Sequence, residues 1–292
     1  VMFLARPVPR DEEEAALFKR IADRQLATPK TWEVMLSCGA DKKKTWTDLI
    51  MEQRLGALAM LRNLANMRQA EVDHKIILAG LNSMNGSKLL PLDYLKAARM
   101  NPELDRYIEE TMLASYSRLP ILPGRTLFIV DVSGSMGDLN SSGSQFSRLD
   151  HACAMAMLAA SQCEEYRLVC TAGDDWARKG AHEFIAYPQK GFNLCKQISE
   201  TRSRIGGGGI FTRQVLEWCR SQFSGEEFDR IIVFSDSQDC DYPGKGKPQP
   251  FGRRNYICDV SAHTRGVNYK GVWTAEISGF SENFLTFIGA ME

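Results

Sequence analysis

Apolar residues recur along this chain with two different periods, and the period changes near residue 120. Before that point the spacing is helical. In residues 11–26 a run of acids precedes Ala15, Leu17, Phe18 and Ile21, which predicts a helix whose first turn suits the positive end of its dipole. Residues 46–68 set Leu49, Ile50, Leu55, Leu58, Leu61 and Leu64 at helical intervals and predict the strongest amphipathic helix of the region. Asn85-Gly86 marks a turn, Pro91 can open a helix, and residues 103–116 predict another. Short helices joined by turns predict stacked helical hairpins over residues 1–120.

The segment LPILPG, with two prolines and a glycine, predicts a linker at residues 121–125. Through residues 126–292 strands then alternate with helices. Apolar runs predict strands at 126–131, 166–172, 182–187, 230–236 and 270–277. Helices are expected near 147–163, 191–204, 212–222, 254–263 and 281–290. This alternation requires βαβ crossovers, so the predicted fold is an α/β domain with a mainly parallel sheet, preceded by an all-α region.

Composition sets limits without naming a function. The chain has 292 residues, 44% hydrophobic and 25% charged, ordinary values for a folded protein. Lys+Arg and Asp+Glu are each 36, so the formal net charge is zero and no global attraction to nucleic acid or membrane follows. The eight cysteines are scattered with no Cys-x-x-Cys pair, which predicts free buried thiols and no zinc site. No apolar run reaches the roughly 18 residues of a membrane span and no signal peptide is present, so a cytoplasmic protein is expected. Beginning at Val1, the sequence reads as a trimmed or partial one.

The candidate chemistry lies at strand ends. Phe128-Ile129-Val130 runs into Asp131-Val132-Ser133-Gly134-Ser135, which sets a carboxylate and two hydroxyls at the C-terminal end of a strand. RIIVFSD ends the same way in Asp236, and Thr212 stands after a glycine run, placed like the N-cap of the helix that follows. If the two strands are neighbours, their carboxylates meet at one sheet edge. Such hard oxygens suit Mg²⁺ or another divalent cation, and two aspartates leave the ion near neutral with room for an acidic ligand from outside. Taken singly, Asp-x-Ser-x-Ser is also a turn-rich loop, and Ser133 and Thr212 also serve as helix caps.

This order of residues resembles the metal-ion-dependent adhesion site (MIDAS) of von Willebrand factor A domains, over about residues 124–292. The resemblance implies a Rossmann-like domain in which Ser133, Ser135 and Thr212 ligate the metal directly while Asp131 and Asp236 act largely through water. One departure is that Ile210 and Phe211 intervene where the family commonly has Gly-Gly-Thr. Thr212 is aligned because Val215-Leu216 fall where that family usually has Ala-Leu.

In the N-terminal half, Trp32-Glu33, Leu58 and Leu61-Arg62-Asn63-Leu64 resemble the TROVE module of Ro-type RNA-binding proteins, in which HEAT-like helical repeats precede an A domain. The resemblance implies binding of noncoding or misfolded RNA. A complete ring of repeats needs more helical sequence than residues 1–120 supply, so the expectation is either the final repeats or a shortened relative. The alternative is a metal-dependent protein–protein interaction module, its A domain accepting a partner carboxylate without RNA binding of its own. Lys42, Lys43 and Lys44, with Lys245, Lys247, Arg253 and Arg254, are candidate phosphate contacts, although such runs also serve as ordinary solvated faces. Trp32, Trp46 and Trp273 suit either a core or base stacking.

No enzyme is expected. His74, His151, His182 and His263 have no ligand spacing and no paired nucleophile. Val132-Ser133-Gly134-Ser135 is not a Gly-x-Ser-x-Gly nucleophile elbow, and the Gly206–Gly209 run lacks the lysine of a phosphate-binding loop.

Overall fold

A computed structural model describes every residue except 1–6, 27–30, 38, 142, 206, 242, 243, 245, 262–270, 280 and 282. The N-terminal part is helical: α1 (Glu12–Ala22), α2 (Trp32–Ser37), α3 (Lys42–Met51), α4 (Ala57–Arg62), α5 (Leu64–Gln69), α6 (His74–Ser83), α7 (Pro91–Met100) and α8 (Asp105–Tyr116). Asp11 caps α1 as its acidic start suggests, yet α1 buries none of its residues.

The helix predicted over 46–68 is instead three helices, α3, α4 and α5. The break has a local cause. Gln53 turns left-handed at φ 54°, its N–H and that of Arg54 return to the carbonyls of Ile50 and Leu49, and Gly56 then starts α4. The apolar positions still serve one core, with Leu49, Ile50, Leu61 and Leu64 all buried. α3 packs on α2 and α6, α4 on α6 and α7, and α7 on α8.

The segment predicted as a linker runs directly into β1 (Leu122–Asp131). Then follow α9 (Arg148–Gln162), β2 (Cys163–Asp174), β3 (Lys179–Phe184), α10 (Phe192–Ile205), α11 (Thr212–Gln222), β4 (Arg230–Ser235), β5 (Arg254–Asp259), β6 (Ala275–Ser278) and α12 (Asn283–Met291). The sheet order is β3-β2-β1-β4-β5-β6, parallel throughout except for the antiparallel edge pair β2–β3. Strand residues alternate between two covered faces. Phe128, Val130 and Phe234 join α9, α10 and α12, whereas Leu127, Ile129 and Val233 join Val215, Leu216 and Cys219 of α11.

One predicted helix is a strand. Residues 254–263 contribute β5, whose Tyr256 and Cys258 bury on one face while β4 and β6 pair on either side. The period in RNYICD is two, and its polar alternates mask it. The strand predicted at 182–187 lies three residues earlier as β3, and the one predicted at 270–277 is β6, with residue 270 outside the described set.

The two regions share one continuous apolar core running from Trp46 to Phe234. At their junction α7 packs on α9 through Leu92, Leu95 and Ala154, Arg99 pairs with Asp150, and Glu109 accepts the Phe192 N–H. Among the described residues no helix is long and apolar enough to cross a membrane. The seven cysteines recorded are all free, and burial pushes the Cys163 thiol up to about 11 and Cys219 up to about 12, well away from a reactive thiolate.

Candidate functional site

β1 and β4 are adjacent and parallel, Val130 opposite Phe234, so Asp131 stands level with Ser235 and Asp236 follows one residue later, both at the C-terminal edge of the sheet. Asp131 is wholly buried. Its Oδ1 accepts the Ser133 N–H at 2.8 Å and its Oδ2 accepts the Ser235 hydroxyl at 2.7 Å. Burial, and then the neighbouring Asp236, push its carboxyl up to about 7 against those two hydrogen bonds. The Ser133 and Ser135 hydroxyls face each other at 3.4 Å, Ser133 buried and Ser135 half-buried at the start of a 3-10 turn, Gly134–Gly137.

Two residues outside the predicted set complete this cluster. Arg148, first residue of α9, donates from Nη1 to Asp236 Oδ2 at 2.8 Å and to the Ser135 carbonyl at 3.4 Å, while Arg202 donates to the Gly134 carbonyl at 3.0 Å. A sequence signal existed for Arg148. A cation in the first turn, directly after the Ser147 cap, opposes the helix dipole and needs an acidic partner elsewhere.

The glycine run closes over the serines. The Gly134 N–H donates to the Gly208 carbonyl at 2.9 Å, and a Cβ on Gly134 would stand 2.2 Å from the Gly207 carbonyl oxygen, so only glycine permits this approach. The run is braced from the other side by Asp175, whose Oδ1 accepts the Gly209 N–H at 2.8 Å.

Thr212 enters differently from its prediction. Phe211 is the N-cap residue of α11 and Thr212 is the first helical residue, buried, its N–H donating to Asp239 at 3.3 Å. The next N–H, of Arg213, donates to Asp241 at 2.6 Å. The loop after β4 thus caps α11 with two carboxylates, and the pairing of Ile210 with Asp239 ties that loop to the glycine run. Direct hydrogen bonds join Asp131, Ser133 and Ser135, Arg148 links Asp236 to the Ser135 carbonyl, and Thr212 is tied through its backbone to Asp239 on the loop after β4.

The donor set consists of hard oxygens, the chemistry that Mg²⁺ selects. Among the described residues no three His, Cys, Asp or Glu side chains are grouped to hold a metal, so a cation here depends on the serine and threonine hydroxyls. The two carboxylates share this edge with two guanidiniums, Arg148 on Asp236 and Arg202 on the Gly134 carbonyl.

Lys42, Lys43 and Lys44 form the exposed first turn of α3. Arg253 and Arg254 lie at the opposite, N-terminal end of β5; Arg253 is paired with Glu227 at 3.1 Å and Asp229 at 3.3 Å, while Arg254 is exposed. Lys247 is exposed on the loop before β5, and Lys245 lies outside the described residues.

The TROVE domain family model matches residues 8–165, more than half of the chain, from ahead of α1 to the start of β2. This chain belongs to the TROVE domain family. The likeness carried by Trp32-Glu33 and Leu61-Arg62-Asn63-Leu64 is therefore borne out. The crystal structure of the Deinococcus radiodurans Ro (RSR) protein is similar over 96% of this chain, with a TM-score of 0.54 and 14% identity. That likeness shows a shared fold, HEAT-like helices followed by an A domain. The chain spans 66% of the length of that Ro protein. An aerotolerance-related membrane protein from Bacteroides fragilis is a weaker match, with a TM-score of 0.33 and 11% identity over 57% of this chain and 96% of that one.

Proposed function

We propose that this protein binds noncoding or misfolded RNA in the manner of Ro-type proteins, and that its A domain holds Mg²⁺ or a similar divalent cation. The RNA reading is carried by the TROVE match over residues 8–165, joined to a fold shared with a Ro protein. With no net charge on the chain, RNA affinity has to come from local cations, and the exposed Lys42, Lys43 and Lys44 are the strongest of these. Arg253 contributes less, because Glu227 and Asp229 already neutralise it. The cation reading assigns Ser133, Ser135 and Thr212 as ligands with Asp131 and Asp236 in support; the hard-oxygen donors gathered at that edge favour it. Buried free thiols suit a reducing cytoplasm, and the arrangement calls for binding and not catalysis.

The test is filter binding of structured RNAs, with and without a single-stranded 3′ tail, across about 50 to 200 mM salt. Affinity should fall steeply with salt, and replacing the three lysines by alanine should flatten the log–log slope by roughly one unit per lost phosphate contact. Undetectable binding at the lowest salt would sink the RNA reading.

A further inference from the structure

We propose that a cavity between α2, α3 and α5 receives one nucleotide of single-stranded RNA, with the Trp32 indole as its stacking platform. This rests on the RNA-binding reading above and adds to it a place and a chemistry. The cavity holds about 480 Å³, within the range of small-ligand pockets. Trp32, Trp46, Asn63, Asn66, Gln69 and Lys42 are among its walls. Trp46 is only 1% exposed and forms a fixed apolar wall; Trp32 is half-buried against it, ring centroids 5.7 Å apart and planes 31° from parallel. An indole held in this way offers a π surface to any base at little entropic cost.

The polar groups suit a base edge. The Asn63 amide is committed, donating to the Ala59 carbonyl at 2.9 Å and accepting from Asn66 Nδ2 at 2.9 Å. This orients Asn66. Among the described residues, the Asn66 carbonyl oxygen and the Gln69 amide are not engaged elsewhere, and together they supply acceptors and a donor of the kind that reads bases.

Charge identifies the occupant further. Among the described residues no acidic side chain lines the cavity, and Lys42 stands at its wall with Lys43 and Lys44 beside it in sequence, all exposed. Three lysines in the first turn of a helix oppose its dipole, so their placement is poor for α3 itself. Asp41 already caps the helix end, accepting the Lys44 N–H at 3.1 Å, so a phosphate beside them would answer the lysine side chains. Aromatic wall, amide edge and cations at the mouth together describe a nucleotide better than an aliphatic or acidic ligand.

The experiment measures binding of a fluorescein-labelled single-stranded RNA dodecamer containing 4-thiouridine to the wild-type chain and to Trp32→Leu, Trp32→Phe and Asn66→Ala. Trp32→Leu should lose about 5- to 100-fold in affinity, Trp32→Phe should recover most of it, and Asn66→Ala should lose less. Photocrosslinking of the wild type should map to the peptides holding Trp32 or Trp46, a readout that does not depend on any variant folding. RNA binding with crosslinks only elsewhere, or unchanged affinity in Trp32→Leu, overturns the pocket and leaves the RNA reading intact. Absence of binding by the wild type overturns the RNA reading and the pocket with it.

Discussion

Arg148 and Asp236 form a buried ion pair, Nη1 to Oδ2 at 2.8 Å, with side chains 8% and 0% exposed. It spans two layers of the A domain, holding the start of α9 to the end of β4. It also places a guanidinium beside the two aspartates that the sequence marks as a metal site. The Arg148 Nε has no partner among the described residues, so the pair is held through Nη1.

Breaking this pair from one side should be costly, because the surviving charge stays buried. Arg148→Met and Asp236→Asn are each expected to lose about 3–5 kcal/mol of unfolding free energy. The double variant should lose much less than the sum. Urea denaturation of all four proteins measures the coupling; additive losses would show that the contact contributes no interaction energy.

Divalent cation should stabilise the folded chain. If Mg²⁺ binds at the serine cluster, a concentration of about 100 times its Kd should add about 2.7 kcal/mol, seen as a higher Tm in MgCl₂ than in EDTA. Asp131→Asn should abolish the increment. A Tm indifferent to Mg²⁺ and Mn²⁺ in the wild type would remove the metal reading.

Between pH 6.5 and 4 two buried groups should act on stability with opposite signs, His182 and Asp131. Burial holds the His182 imidazole down at about 4, against an ordinary value of 6.5, and Asp241 offsets this only in part. A lowered folded pKa means that the unfolded chain binds the extra proton. The His182 contribution is therefore full above about 6.5, falls as pH drops toward 4 and levels off below, each unit of difference being worth about 1.4 kcal/mol. Asp131, held up at about 7, takes up its proton in the folded chain first and contributes the opposite sign over that range. Burial lowers His151 in the same direction as His182. Relative to wild type, the urea midpoint of His182→Gln should rise progressively as pH falls from 6.5 to 4, and a pH-independent difference would exclude a role for this imidazole.

Arg230 and Glu292 should be the second vulnerable pair. Arg230, 2% exposed, donates to both Glu292 oxygens at 2.7 and 2.6 Å, and also to Thr126 at 2.9 Å and the Pro123 carbonyl at 2.7 Å. Glu292→Gln leaves the guanidinium without a countercharge and should cost roughly 2 kcal/mol by thermal or urea unfolding. A loss of a few tenths would show that the carboxylate is merely a surface partner.

Much of the architecture was legible from local pattern. Asp131, Ser133 and Ser135 end a run of apolar β-branched and aromatic residues, and Asp236 ends another, so strand, edge and candidate oxygens could all be read off the chain. The helix near 212–222 was legible, although Thr212, expected as its cap, is its first helical residue. Where two periods competed, legibility ended. Residues 46–68 keep helical intervals through a break that only the left-handed turn at Gln53 and the start at Gly56 impose. β5 reads as helix because the period of two in RNYICD is short and mixed in polarity, and its pairing with β4 and β6 makes it a strand.

The sequence by itself determined which residues are chemically equipped: the oxygens at two strand ends, the glycines that allow Gly134 and Gly208 to touch, the tryptophans and lysines of the helical half, and the family to which they belong. Tertiary structure decided what those groups face. Whether Asp131 meets Asp236 depends on β1 lying beside β4, contacts separated by about a hundred residues that no local period encodes. That Arg148 reaches Asp236, that Asp239 and Asp241 cap α11, and that Trp32 and Lys42 share a cavity follow from packing between distant elements. Side-chain chemistry is a property of residue type, but charge balance, burial and partnership are properties of the assembled core.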